Sequence, residues 1–145
     1  MEPTRVLKDE ITFSPTAASN GSYLYQGEPF DGVAYSLFRD GKPESEEEFR
    51  EGLRWGLTRE WYKSGVLAHE ATFYRDVVHG TRTDWYQSGQ MKEQEVCRFG
   101  IVLSRTRWAA DGTITEQYEL PADAPQRERL KLLEATFAHE ADPTE

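Results

Sequence analysis

Apolar and polar positions recur along the middle of this chain with a period of 24 residues. Gly56-Leu57-Thr58-Arg59-Glu60-Trp61-Tyr62-Lys63-Ser64-Gly65 is followed by Gly80-Thr81-Arg82-Thr83-Asp84-Trp85-Tyr86-Gln87-Ser88-Gly89. In each copy an aromatic pair stands at the fifth and sixth positions after the first glycine, and a second glycine at the ninth. Leu67 and Met91 follow two positions later, and Phe73 and Cys97 close the units. One period back lies a weaker copy on Gly32, Phe38, Gly41, Pro43 and Phe49. A fourth runs through Leu103, Trp108, Gly112, Ile114 and Leu120, without the first glycine or the second aromatic. Four units thus cover residues 30–120. A period of this length marks an array of one supersecondary unit.

The unit reads as a β-hairpin. Between its two glycines lie short aromatic and β-branched stretches interleaved with polar residues. The turns Arg39-Asp40-Gly41, Lys63-Ser64-Gly65, Gln87-Ser88-Gly89 and Ala110-Asp111-Gly112 are three-residue connections ending in glycine, which suits a left-handed last residue. After each turn the chain runs on at about strand length, with no room for a ten-residue helix. Successive hairpins pair edge to edge, and alternate residues face opposite sides. Arg59 and Trp61 therefore share a face with Thr83, Trp85, Thr106 and Trp108. Glu60 and Tyr62 share the other with Asp84 and Tyr86. Arg59 with Glu60, and Arg82 with Asp84, are the expected cross-strand charge pairs.

Residues 1–29 are expected to cap the N-terminal edge of the array. Arg5–Leu7, Glu10–Phe13 and Ser22–Tyr25 are strand candidates, with a polar loop over Thr16–Gly21. In residues 121–145 a helix is predicted from about Pro125 to His139. Asp123 and Gln126 form a capping box, and Leu130, Leu133 and Phe137 lie on one face. This helix either folds back over the C-terminal end of the sheet or grips a partner. The predicted fold is all-β: a single elongated antiparallel meander of β-hairpin repeats with one C-terminal α-helix.

Composition narrows the function. At 145 residues the chain suits one domain. Its formal charge of −9 argues against direct binding to nucleic acid or an anionic membrane, where a basic patch is expected. A basic protein partner is compatible with it. Cys97 is the single cysteine, so no internal disulfide forms; this fits a cytoplasmic location, as does a start with no basic-then-apolar leader. No stretch approaches the length of a membrane span. His69, His79 and His139 have no metal-ligand spacing, and Cys97 falls where Phe49 and Phe73 fall. There is no phosphate loop or nucleophile elbow. Neither an enzyme nor a cofactor is expected.

Two features are candidate contact surfaces. Glu44, Glu46 and Glu48 alternate onto one face, either as a solvated strand that blunts pairing or as an acidic patch that steers a basic partner. Trp61 and Trp85 are interface anchors or the packing ladder of the array. Glu46, Glu48, Glu60, Trp61, Asp84 and Trp85 are the candidate partner-binding residues.

The pattern Gly56, Trp61, Tyr62, Gly65, Leu67, Glu70, Phe73, repeated in Gly80, Trp85, Tyr86, Gly89, Met91, Glu95, resembles the MORN-repeat variant of YwqK-type antitoxins of bacterial toxin–antitoxin loci. Tyr25-Gln26-Gly27-Glu28-Pro29-Phe30-Asp31-Gly32 resembles the usual opening of such arrays. The resemblance implies MORN-like hairpins and an antitoxin or immunity protein. It would occlude a cognate toxin, often a nuclease or deaminase, as a monomer or weak homodimer. The alternative is a structural adaptor or self-associating scaffold. A lipid-associated module would need basic rungs, and these rungs are mostly acidic.

Overall fold

The computed structural model describes residues 4–15, 21–138 and 140. The array is built by two kinds of turn. At one end of each hairpin, four identical turns reverse the chain. Tyr62 N–H donates to the Val66 carbonyl at 2.9 Å and Gly65 N–H to the Tyr62 carbonyl at 2.9 Å. The same pair recurs at Phe38–Lys42, Tyr86–Gln90 and Ala109–Thr113. Gly65 takes φ +94°, the left-handed conformation the spacing predicts. At the other end the connections shrink to two residues, Glu51-Gly52, Arg75-Asp76 and Phe99-Gly100, all with positive φ. Such turns match the twist of the flanking strands.

The strands are β1 (Arg5–Leu7), β2 (Ile11–Ser14), β3 (Ser22–Tyr25), β4 (Glu28–Pro29), β5 (Gly32–Leu37), β6 (Pro43–Arg50), β7 (Leu53–Trp61), β8 (Leu67–Tyr74), β9 (Val77–Trp85), β10 (Met91–Arg98), β11 (Ile101–Trp108) and β12 (Ile114–Glu119), followed by helix α1 (Gln126–Phe137). Strands β5 to β12 form the expected antiparallel meander. The nine-stranded sheet has the order β1-β5-β6-β7-β8-β9-β10-β11-β12. At about 4.8 Å per strand this sheet is nearly 40 Å across. Two features fall outside a single meander. Strand β1 pairs parallel to β5, with Val6 opposite Ala34. Strands β2, β3 and β4 form a separate three-stranded sheet. The polar loop expected over Thr16–Gly21 lies, except for Gly21, outside the described residues.

The first glycine of each of the first three units faces the apolar residue that closes the same unit. Gly32 pairs with Phe49, Gly56 with Phe73, and Gly80 with Cys97. Gly56 has φ +104°, and a Cβ there would fall 1.9 Å from a Glu48 carboxylate oxygen. That oxygen accepts the Leu57 N–H at 2.7 Å. In the fourth unit Leu103 replaces the glycine. Its carbonyl accepts the N–H of Leu120 at 2.8 Å, and its side chain packs into the cluster under the helix.

Two small cores flank the sheet. Val6, Phe30, Ala34 and Phe49 are buried together, and Ile11, Tyr23 and Tyr25 of the small sheet pack against them. Tyr74, Phe99 and Leu130 form the second, joined by Trp55, Ile101, Leu103, Leu133 and Phe137. The predicted helical face thus docks, while Leu132 is 71% exposed. The helix sits on the two-residue-turn end of the array and leaves β12 as an open edge. The expected capping box does not form. Pro125 occupies the N-cap without a side-chain bond, because Asp123 lies in the preceding turn closed by Ala124 N–H on the Pro121 carbonyl. Arg127 instead donates to the carbonyls of Leu120 and Pro121, at 2.6 and 3.2 Å.

Candidate functional site

Cross-strand partners share a face, so the register orders the side chains into rows. Glu46, Arg59, Glu70, Thr83, Gln94 and Thr106 form one row. Ser45, Glu60, His69, Asp84, Glu93, Arg107 and Glu116 form another. Beside it on the same face runs the row of Glu47, Thr58, Ala71, Arg82, Glu95 and Arg105.

The six candidate contact residues divide between the faces. Glu46 belongs to the Arg59 row and pairs with Arg5 at 3.2 Å. Glu48, two positions along, is exposed and tethered by the Leu57 N–H. Trp61 and Trp85 fall on that side by alternation and are half-buried. Glu60 and Asp84 lie on the opposite face. Glu60 is exposed and makes no ion pair among the described residues, whereas Asp84 bonds His69 Nδ1 at 2.5 Å. Glu44 does not line up with Glu46 and Glu48. A bulge beside Ser36 and Leu37 turns its carboxylate to the Ser36 hydroxyl, 3.0 Å away, and that hydroxyl is 2.6 Å from Ser45 Oγ.

Of the two expected charge pairs, Arg82 does meet Asp84, whereas Arg59 meets Glu70 in place of Glu60. Arg59 Nε donates to Glu70 at 2.7 Å, one strand on. Arg82 reaches Glu95 at 3.4 Å and Glu93 at 3.9 Å, with Asp84 at 3.8 Å. Glu95 is 4% exposed and also accepts Arg105 at 2.6 Å. Arg107 bridges Glu93 and Glu116. This end of the face is a compensated lattice, in which each buried carboxylate meets a guanidinium.

Negative charge is concentrated at the other end. Residues 1–51 carry five Lys and Arg against eleven Asp and Glu, while residues 52–120 carry nine of each. Asp9, Glu10 and Glu60 are exposed and make no ion pair among the described residues.

The sequence placed Tyr62 and Tyr86 on one face but did not reveal the bonds that their hydroxyls make. The Tyr62 hydroxyl donates to the Trp85 carbonyl at 2.6 Å, and the Tyr86 hydroxyl to the Trp108 carbonyl at 2.8 Å. Their recurrence at one repeat position was the available signal. Burial, and then Glu95, push the Cys97 thiol up to about 11, which keeps it protonated and a poor nucleophile. Among the described residues no three His, Cys, Asp or Glu side chains group to hold a metal ion. No described helix is long and apolar enough to cross a membrane.

With this geometry in place, comparison with known protein families finds a match over β9 and β10. Residues 78–96 match the MORN repeat variant. The matched stretch holds the third unit's glycines, Trp85, Tyr86 and Met91, and by register its neighbours are hairpins of the same build. No curated protein and no solved structure matches the chain.

Proposed function

We propose that this protein is an antitoxin or immunity protein of the YwqK type, acting in the bacterial cytoplasm to bind a cognate toxin and block it by occlusion. The observation that carries the reading is the separation of charge along the array. An excess of six acidic residues sits in residues 1–51, beside a stretch of 69 residues that is neutral. A toxin acting on nucleic acid presents a basic surface to phosphate. A stiff acidic plate competes for that surface and steers the encounter, an effect worth about 10-fold to 1,000-fold in association rate at low salt. The hydrogen-bonded sheet costs little ordering on binding.

Co-expression with the product of the adjacent gene tests this. Growth arrested by that product should be restored by this protein, and arrest that persists although both proteins are made and soluble would remove the reading.

One observation favours a second reading, a self-associating scaffold. Strand β12 is an uncovered edge, with Ile114 50% and Tyr118 37% exposed, and such an edge is a template for another strand. A stable dimer in solution that is lost on placing proline at Gln117 would support the scaffold, and a monomer would exclude it.

A further inference from the structure

Between the small sheet and the first hairpin of the array lies an open-sided cavity of about 150 Å³, walled by Ile11, Phe13, Tyr23, Ala34 and Phe49. The Lys8–Glu47 ion pair, 3.4 Å long, completes the lining. Phe13 is 53% exposed although its ring packs tilted against Tyr23, with centroids 5.0 Å apart, whereas Ala34 is 1% exposed. An apolar cavity of about this size is enough for a benzene ring. Phe13 carries the apolar lining of the cavity out to the surface.

The charge around the cavity says what kind of chain brings the apolar group. Glu47 is compensated by Lys8, and its field also reaches Arg54. It has little attraction left for a further cation. Asp9 adjoins Lys8 and Glu10 adjoins Ile11 in sequence. Glu60 stands on the Glu47 face, because Glu47 pairs with Thr58 and Ser45 with Glu60. All three carboxylates are exposed and lack an ion pair among the described residues.

We propose that this cavity receives one aromatic or large aliphatic side chain from a basic protein partner, whose flanking Lys or Arg residues meet Asp9, Glu10 and Glu60. The apolar side chain supplies the anchor, since removing apolar surface from water is the main favourable term in association. The carboxylates select a cationic segment over an anionic one and speed its arrival. This deepens the protein-binding reading above and takes the partner's basic character from it.

The test uses the full chain and three capped peptides, Lys-Phe-Lys, Glu-Phe-Glu and Lys-Gly-Lys, titrated while the methyl resonances of Ile11 and Ala34 are followed. Lys-Phe-Lys should give saturable shifts at both methyls, Glu-Phe-Glu should bind at least fivefold more weakly, and Lys-Gly-Lys should leave them unmoved. Ala34→Leu, which fills the cavity, should weaken Lys-Phe-Lys at least tenfold by the Ile11 signal. Asp9→Asn with Glu10→Gln and Glu60→Gln should bring Lys-Phe-Lys and Glu-Phe-Glu to within twofold of each other. If Ala34→Leu fails to fold by circular dichroism, Phe13→Ser at the exposed rim replaces it, with the same weakening expected. Absence of saturable shifts, equal binding of the two charged peptides, or binding that survives a folded cavity variant would overturn the proposal. A dimer that Ala34→Leu converts to monomer would make a second copy the occupant and overturn it as well. Growth rescue that fails while Lys-Phe-Lys still binds would remove the toxin and leave the cavity. Rescue that succeeds without peptide binding would remove the cavity alone.

Discussion

The hydroxyl of Tyr62 lies 2.6 Å from the backbone carbonyl of Trp85, tying one repeat unit to the next, and Tyr86 repeats the contact on Trp108 at 2.8 Å. A bond of this kind contributes about 1 kcal/mol net. Tyr62→Phe and Tyr86→Phe should each lower unfolding stability by about that amount in urea titration. The first unit has Phe38 at this position and lacks the hydroxyl. Phe38→Tyr should place one near the Trp61 carbonyl and raise the urea midpoint, with a gain of about 0.5–1 kcal/mol.

Gly56 couples backbone to side chain. Its φ of +104° strains any L-residue, and the Glu48 carboxylate fills the space a Cβ needs. Gly56→Ala should cost about 1–3 kcal/mol. In a Glu48→Ala background the same substitution should cost less, because no carboxylate has to leave the Leu57 N–H. A double-mutant cycle by chemical denaturation measures the difference.

Glu95 is the acid on which the compensated lattice turns. It is 4% exposed and meets Arg105 at 2.6 Å and Arg82 at 3.4 Å. Glu95→Ala removes a buried acceptor from two guanidiniums that keep Glu116, Glu93 and Asp84, so it should destabilise by about 1.5–3 kcal/mol, the range for hydrogen bonds to charged groups. Glu60→Ala, at an exposed position without an ion pair among the described residues, should change the melting temperature little.

The helix is held by one face. Leu130 is 7% exposed and Leu132 71%. Leu130→Ala should cost about 2–4 kcal/mol, while Leu132→Ala, about half a turn further round the helix, should leave the melting curve unchanged.

These outcomes also show which features the sequence carried. The glycine and aromatic spacing located the hairpins and turns, because each turn needs its left-handed residue and each first glycine faces an apolar closer. The face of Leu130, Leu133 and Phe137 was legible for the same reason: it is periodic. The ion pairs were legible only in part: Arg82 meets Asp84 as its spacing suggests, but Arg59 meets its cross-strand partner Glu70, because adjacent Arg59 and Glu60 face opposite sides of the sheet. Nor was the parallel pairing of Arg5–Leu7, a contact between segments with no repeat to mark it. Asp123 and Gln126 have the spacing of a capping box, yet Pro125 already has helical dihedrals and leaves Asp123 too far upstream.

Alkali gives an independent check of the interior. Cys97 has its thiol raised to about 11 by burial and then by Glu95. The unfolded chain loses this proton at lower pH than the folded one, so the stability tied to the neutral thiol is present below about pH 8.5 and is lost as pH rises toward 11. Unfolding free energy should fall more steeply across that window in the native protein than in Cys97→Ala, in which only the other groups titrate, measured against each protein's own value at pH 8. Alkylation of the native thiol at pH 8 should be slow beside that of the denatured chain.

The most direct test of the central claim is the association rate between the purified protein and the product of the adjacent gene, followed by stopped flow at low and high salt. Replacing Asp9, Glu10, Glu46 and Glu60 with their amides should slow association at least tenfold at low salt and abolish most of its salt dependence. No association, or a rate untouched by these substitutions, would contradict the account.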